Sequence, residues 1–196
     1  MSSFEVSRET LIDLYFPYKK EEIARYASFL AVEGIERGLI GPHEAERIWE
    51  RHIFNCLPVI SLIPEGASLI DIGSGAGLPG IPIALARPDL SVTLIEPLQR
   101  RVDFLNEAVD GLSISILRGR AQDFTMKADF VTARAVAPLE KLKRIGWHLV
   151  KKGGSLLAIK GASAHEEAAQ VIGALLHEIE LEGLPLGRII SLRKTG

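Results

Sequence analysis

The stretch that most limits what this chain can fold into is ASLIDIGSGAGLPG, residues 67–80. An apolar run from Leu69 to Ile72, interrupted only by Asp71, breaks into four glycines set among small residues, and Pro79 and Pro82 bracket the start of a helix. That order predicts a strand, a tight turn and a helix N-terminus within fourteen residues. Glycines at 73, 75 and 77 permit positive φ angles and remove the side chains that would hold a ligand off the backbone. The helix behind them offers unpaired N–H groups and the positive end of a dipole. Such a turn suits a nucleotide or a nucleoside.

Gly75, Gly77 and Gly80 also satisfy the glycine spacing of dinucleotide-binding turns, so an NAD(P)-dependent oxidoreductase is one reading. Two acids point elsewhere. Asp71, just before the first glycine, would repel a pyrophosphate but suits the ammonium and sulfonium of S-adenosylmethionine. Glu96 ends the next apolar run, about twenty residues beyond the glycines, where a carboxylate can accept from both ribose hydroxyls of an adenosine.

From Ala67 onward strand and helix signals alternate. Strands are expected at 68–72, 91–96, 113–117, 128–133 and 154–159, with helices at 81–87, from Pro97 past Val109, at 139–150 and at 165–176. A closing pair at 179–184 and 189–192 is short enough in its connection to form an antiparallel hairpin. The sum is an α/β, doubly wound, mostly parallel seven-stranded sheet, with ligand expected at the carboxyl ends of the first, second and fourth strands. Ahead of it, residues 1–17 are expected to be loosely tied down until Pro17, 18–40 read as an amphipathic helix, and a second helix from Gly41-Pro42 stops before Pro64. We therefore divide the chain into an N-terminal helical extension, 1–64, and a ligand-binding unit, 65–196.

At 196 residues the chain suits a single core-bearing unit. No window approaches the eighteen apolar residues of a membrane span, residues 1–20 lack a signal-peptide order, and a lone Cys56 makes no internal disulfide, so a cytoplasmic setting is expected. Cys56 lies in an apolar helical stretch and reads as core. A net charge of −2 argues against a protein that coats nucleic acid by charge alone. Basic pairs do recur, at 100/101, 118/120, 141/143/144 and 151/152, and would mean RNA only if they shared one rim. No ligand-spaced His, Cys or acid cluster suggests a metal.

The run DIGSGAGLPGIPIALARPDLSVTLIEPLQRRVDFL, with ERHIFNCL before it and ARAVAPLEKL and LAIKG after it, resembles the small-subunit ribosomal RNA guanine-N7 methyltransferases, historically called glucose-inhibited division protein B. The likeness covers about 26–161 and agrees in order and spacing. It implies a class I methyltransferase (Rossmann-like) fold, S-adenosyl-L-methionine as donor, and one guanine of 16S ribosomal RNA, within the small subunit, as acceptor. The glycine turn and the acid after the second strand make Gly75 and Glu96 candidate cofactor contacts, the resemblance implies further ones at Gly73, Leu78, Ala121, Gln122 and Arg134, and a monomer is the expected working state. Guanine N7 carries an in-plane lone pair and no proton, so no catalytic base is named. Arg51, His52 and Lys160 are the candidate RNA contacts, and Trp147, His148, Phe124 and Trp49 the candidates for stacking the base. A module that holds RNA without chemistry is the third reading. Past Lys160 the resemblance fades.

Overall fold

A computed structural model describes residues 6–195. Seven strands form one sheet: β1 (Ser68–Ile72), β2 (Ser91–Glu96), β3 (Ile114–Arg118), β4 (Ala128–Arg134), β5 (Val150–Lys160), β6 (Ala174–Ile179) and β7 (Gly187–Arg193). Their spatial order is β3-β2-β1-β4-β5-β7-β6. The first five run parallel, while β7 pairs antiparallel with β5 and with β6. The order reverses between β1 and β4, which opens a crevice beyond their carboxyl ends. The helices are α1 (Arg8–Tyr15), α2 (Lys20–Glu36), α3 (Gly80–Ala86), α4 (Gln99–Ala108), α5 (Leu139–Gly146) and α6 (Ala164–Gln170).

Strand alternation sorts the interior into two layers. Leu69 and Leu94 face a core shared with α2, α3 and α4, whereas Ile70, Ile72 and Ile95 face one shared with α5 and α6. Residues ahead of β1 join the first layer: Leu11, Phe16, Ile23, Leu30, Ile53 and Leu57 are buried in the same cluster as Ile81 and Phe104. The seven-stranded doubly wound expectation holds.

Several boundaries differ from the sequence reading. Residues expected to be loosely tied contain α1, capped by the Ser7 hydroxyl accepting from the Thr10 N–H at 3.2 Å and anchored by buried Leu11 and Phe16. The second long helix is instead a chain of short turns, with a π-helical turn at Ile48–Ile53 between 3-10 turns at Ala45–Arg47, Phe54–Cys56 and Pro58–Leu62. Pro58 has no N–H to continue an α-ladder, and it opens the last of these turns. The sixth strand starts earlier than expected, at Ala174, because β-branched Val171 and Ile172 followed by Gly173 at φ +82° stop α6 at Gln170. The hairpin turn is consequently 180–186 and not 185–188.

Below the glycine turn, Asp71 is fully buried and its Oδ2 accepts from the Gly80 N–H at 3.2 Å, tying β1 to the first residue of α3. A Cβ at Gly80 would run into Leu94 and sit 2.9 Å from that oxygen, so the strand and helix meet there only without a side chain. Burial pushes the Asp71 carboxyl up from 3.8 to about 7, and the Gly80 bond, which favours the charged form, offsets this only in part. Between those two values the native chain keeps a proton that the unfolded chain has released. Asp71 therefore contributes less stability as pH rises from about 4 to about 7. In urea unfolding, Asp71→Asn should gain on the parent across that window, and parallel pH profiles for the two would contradict it.

A second prediction concerns β4 and β5. A Cβ at Gly154 would collide with the Asp129 carbonyl oxygen, whereas one at Gly153, at φ +82°, meets open space. Gly154→Ala should cost about 3 kcal/mol, through displacement of backbone, and Gly153→Ala only about 1 kcal/mol. Denaturant midpoints that rank the two in the opposite order would refute this.

Candidate active site

Beyond Ile72 the chain turns over Gly73–Gly77, and three residues of that turn, Gly73, Gly75 and Gly77, have φ of +68°, +59° and +94°. The turn is held from beneath. Gly73 and Ser74 N–H groups both donate to Ile95 O, at 2.8 and 3.2 Å, and those of Gly77 and Leu78 donate to Ser74 O, at 2.7 and 3.0 Å. Glu96, at the end of β2, takes the Gly75 N–H on Oε2 at 2.9 Å and the Leu98 N–H on Oε1 at 3.0 Å. It is 1% exposed, and Arg101 of α4 approaches Oε2 at 3.7 Å. From α2, the buried Tyr26 hydroxyl donates to Ala76 O at 2.9 Å, so the segment ahead of the sheet grips the turn as well.

Above these residues lies a cavity of about 610 Å³. Gly73, Gly75, Leu78, Glu96, Arg134 and His52 all line it. Val136 closes one wall, packed so near Gly73 that a Cβ there would lie 2.9 Å from its Cγ2. Between Arg134 and Val136, Ala135 holds φ +54°, the single non-glycine residue at positive φ among the described residues, a conformation costing about 1 kcal/mol. The Arg134–Val136 turn also forms one wall of a second cavity, about 400 Å³, with Asn55, Lys160 and Glu167 around it.

Arg134 is held on one side. Its NH1 donates to Arg51 O at 3.2 Å and its NH2 lies 3.3 Å from His52 Nδ1. His52 Nε2 is 2.9 Å from Glu44 Oε2, and Glu44 Oε1 pairs with Arg51 at 2.7 Å. Burial first, then the nearby guanidinium groups of Arg134 and Arg51, hold the imidazole below its ordinary range despite Glu44. Neutral His52 then accepts on Nδ1 and donates from Nε2.

Other expected residues sit elsewhere. Asp71 does not line the cavity, because its carboxylate is occupied beneath the turn by Gly80. Ala121 and Gln122 form a 3-10 turn after β3, outside the lining residues, with Ala121 buried. Arg51 is exposed and paired with Glu44. Lys160 is spent on Glu167 at 2.7 Å and Ala137 O at 2.8 Å, its side chain only 10% exposed. None of Trp147, His148, Phe124 and Trp49 lines either cavity. Trp147 lies under Lys143 and Lys194, His148 Nε2 is 3.1 Å from Ala121 O, and Trp49 packs on Phe54. Cys56 is fully buried, and burial pushes its thiol up to about 11, in keeping with a core residue.

The basic pairs do not gather on one rim. Arg101 lines the cavity, whereas Lys151 pairs with Asp129 at 3.0 Å at the opposite, N-terminal end of the strands. Val136 and Asn55 escaped the sequence reading, and Arg101 entered it only as half of a basic pair. Arg101 alone carried a signal, being five residues past Glu96 on the next helix, and its Nε is buried with no hydrogen-bond partner among the described residues. Within those residues there is also no group of three His, Cys, Asp or Glu able to hold a metal, and no helix long and apolar enough to cross a membrane.

Solved structures share this fold. A methyltransferase from Pyrococcus furiosus superposes with a TM-score of 0.58 at 13% identity, covering 90% of this chain and 99% of that one. TrmN from Thermus thermophilus gives 0.53 at 21% identity, over 71% of this chain and 48% of its own. Sequence relatives are much nearer. A ribosomal RNA small subunit methyltransferase G from Thermobifida fusca (strain YX) is 59% identical over 150 residues, which is 73% of this chain and 62% of that protein. The protein of that name from Rhodococcus jostii (strain RHA1) is 54% identical over 153 residues, 74% of this chain and 67% of that one. The match thus spans a little under two thirds of the Thermobifida relative's length. Residues 19–180 match the family described as rRNA small subunit methyltransferase G, and with relatives at this identity the chain belongs to that family.

Proposed function

We propose that the chain is an S-adenosylmethionine-dependent methyltransferase that modifies N7 of a guanine in 16S ribosomal RNA, as its membership of the family suggests. The observation that carries the cofactor half is the use of the glycine turn's own amides. N–H groups of Gly73, Ser74, Gly75, Gly77, Leu78 and Gly80 are all engaged within the protein, and among residues 73–78 Ala76 alone keeps its N–H without a partner among the described residues. A diphosphate needs several such donors. The turn has one to give and sets a buried carboxylate beside it, which disfavours the NAD(P) reading.

The residues present fit a sulfonium nucleoside. Each Glu96 oxygen has one lone pair committed to a backbone N–H and another left for a ribose hydroxyl. Arg134 has five N–H donors, of which two are engaged, so it can still meet a carboxylate. Ala121 and Gln122 would serve the adenine edge from the turn after β3. When bound, the cofactor supplies an electrophilic methyl group that the N7 lone pair takes directly, without a base. The chain contributes alignment, a source of up to roughly 7–11 kcal/mol of barrier reduction in favourable cases.

The neighbouring 400 Å³ cavity, across the Arg134–Val136 turn, is where we place the acceptor base. Asn55 lines it and its amide makes no hydrogen bond among the described residues, so it is available to the O6 and N1–H edge of guanine. Lys160 and Glu167 brace that cavity as an ion pair, and Arg51 and His52 lie on the segment next to it. The unit 65–196 would supply most of both cavities, and the N-terminal extension, 1–64, would add His52 to the cofactor cavity and Asn55 to that of the base.

Small ribosomal subunits from a strain lacking the protein should take up label from methyl-labelled S-adenosylmethionine, at N7 of a guanine. Retention of the RNA without label would favour a binding module. Glu96→Gln should weaken S-adenosylhomocysteine by about ten- to a hundredfold in calorimetry, since one charge-assisted pair is lost. Unchanged affinity, or binding of NADH in its place, would overturn the cofactor assignment.

A further inference from the structure

We propose that His52 is a positioning residue: its neutral imidazole holds the Arg134 guanidinium in the orientation that receives the carboxylate of the cofactor's amino-acid arm. The inference rests on the cofactor reading above and deepens it. Three observations carry it. First, His52 stands in a π-helical turn, Ile48–Ile53, a rare geometry in which residue 52 reaches the cavity wall; its carbonyl is fixed by the Cys56 thiol donating at 2.8 Å. Second, both of its ring nitrogens are engaged, Nδ1 facing Arg134 NH2 at 3.3 Å and Nε2 facing Glu44 Oε2 at 2.9 Å. Third, Arg134 lines the cavity with its two terminal nitrogens each tied back, to His52 and to Arg51 O, leaving three N–H donors uncommitted.

The chemistry follows from one lone pair. A guanidinium only donates, so Nδ1 must accept, and the single proton of the ring must sit on Nε2 and go to Glu44. Protonating Nδ1 would delete the acceptor and put two cations face to face. The charged groups around the ring are Glu44, from the segment before the turn, Arg51 on the turn itself and Arg134 from β4. Glu44 favours the imidazolium, while burial and the two guanidinium groups disfavour it more strongly, so His52 stays neutral near pH 7. Acidification then frees Arg134, and affinity for the carboxylate falls while the adenosine contacts at Glu96 are untouched.

The test is calorimetry with two ligands, S-adenosylhomocysteine and methylthioadenosine, which has the nucleoside but no amino-acid carboxylate. His52→Ala should weaken the first by about tenfold and the second by less than about twofold. His52→Asn keeps an amide oxygen near the place of Nδ1 and does not titrate, so it should restore most of the affinity. It should also remove the loss that the parent shows for S-adenosylhomocysteine as the pH is lowered below the ordinary imidazole value of 6.5. Equal losses for both ligands, no recovery in His52→Asn, or the same pH profile in that variant would overturn the proposal. Urea midpoints of both variants separate these effects from unfolding. A parent protein that binds methylthioadenosine and S-adenosylhomocysteine equally well would also defeat the proposal, and one that binds neither would defeat the cofactor reading beneath it.

Discussion

The carboxylate of Glu96 is the junction on which the site depends. Sitting at the last residue of β2, it fastens the glycine turn through Gly75 and the approach to α4 through Leu98. The turn is also tied to the end of β2 through the Gly73 and Ser74 N–H groups, which donate to Ile95 O. A buried carboxylate is costly unless its oxygens are satisfied, and here two backbone N–H groups and a nearby guanidinium meet that cost. Because those contacts occupy one lone pair on each oxygen, the acid is oriented before any ligand arrives. Preorganisation of that kind reduces the ordering cost of binding.

Packing around the junction explains why the segment ahead of the sheet belongs to the site. Tyr26 holds the turn from α2, and Glu44, Arg51 and His52 hold Arg134 from the chain of short turns. The same segment buries Ile53, Cys56 and Leu57 in the core shared with β1 and α3. The irregular backbone there carries His52 and Asn55, which line two adjoining cavities. Strain appears next to it at Ala135, on the turn that divides those cavities.

Much of this was legible in the residues. The glycine spacing, Asp71 and Glu96 located the strand, turn and helix, and the alternation of strand and helix signals indicated the mostly parallel sheet, though not its spatial order. Gly75 and Glu96, read from the residues, and Gly73, Leu78 and Arg134, carried over from the family resemblance, line one cavity. What failed did so for local reasons. Apolar spacing of three and four between Ile48 and Leu57 looks the same for an α-helix as for alternating π and 3-10 turns, so the path of that segment was invisible. The end of α6 was misplaced because Ala174 and Leu176 fit a helical face as well as a strand, and Gly173 decided the matter. Asp71 was assigned to the ligand when its nearest demand was an amide nine residues on. Arg101 and Asn55 are polar residues in otherwise ordinary contexts, and only the folded backbone shows where they point.

The central claim is that Glu96 receives a ribose while the turn's amides stay engaged within the protein. A crystal structure of the protein with S-adenosylhomocysteine tests it most directly. The account predicts both ribose hydroxyls within hydrogen-bonding distance of Glu96, with the Gly75 and Leu98 bonds to that side chain retained. A ligand bound elsewhere, or a turn opened so that its amides hold a phosphate, would contradict it.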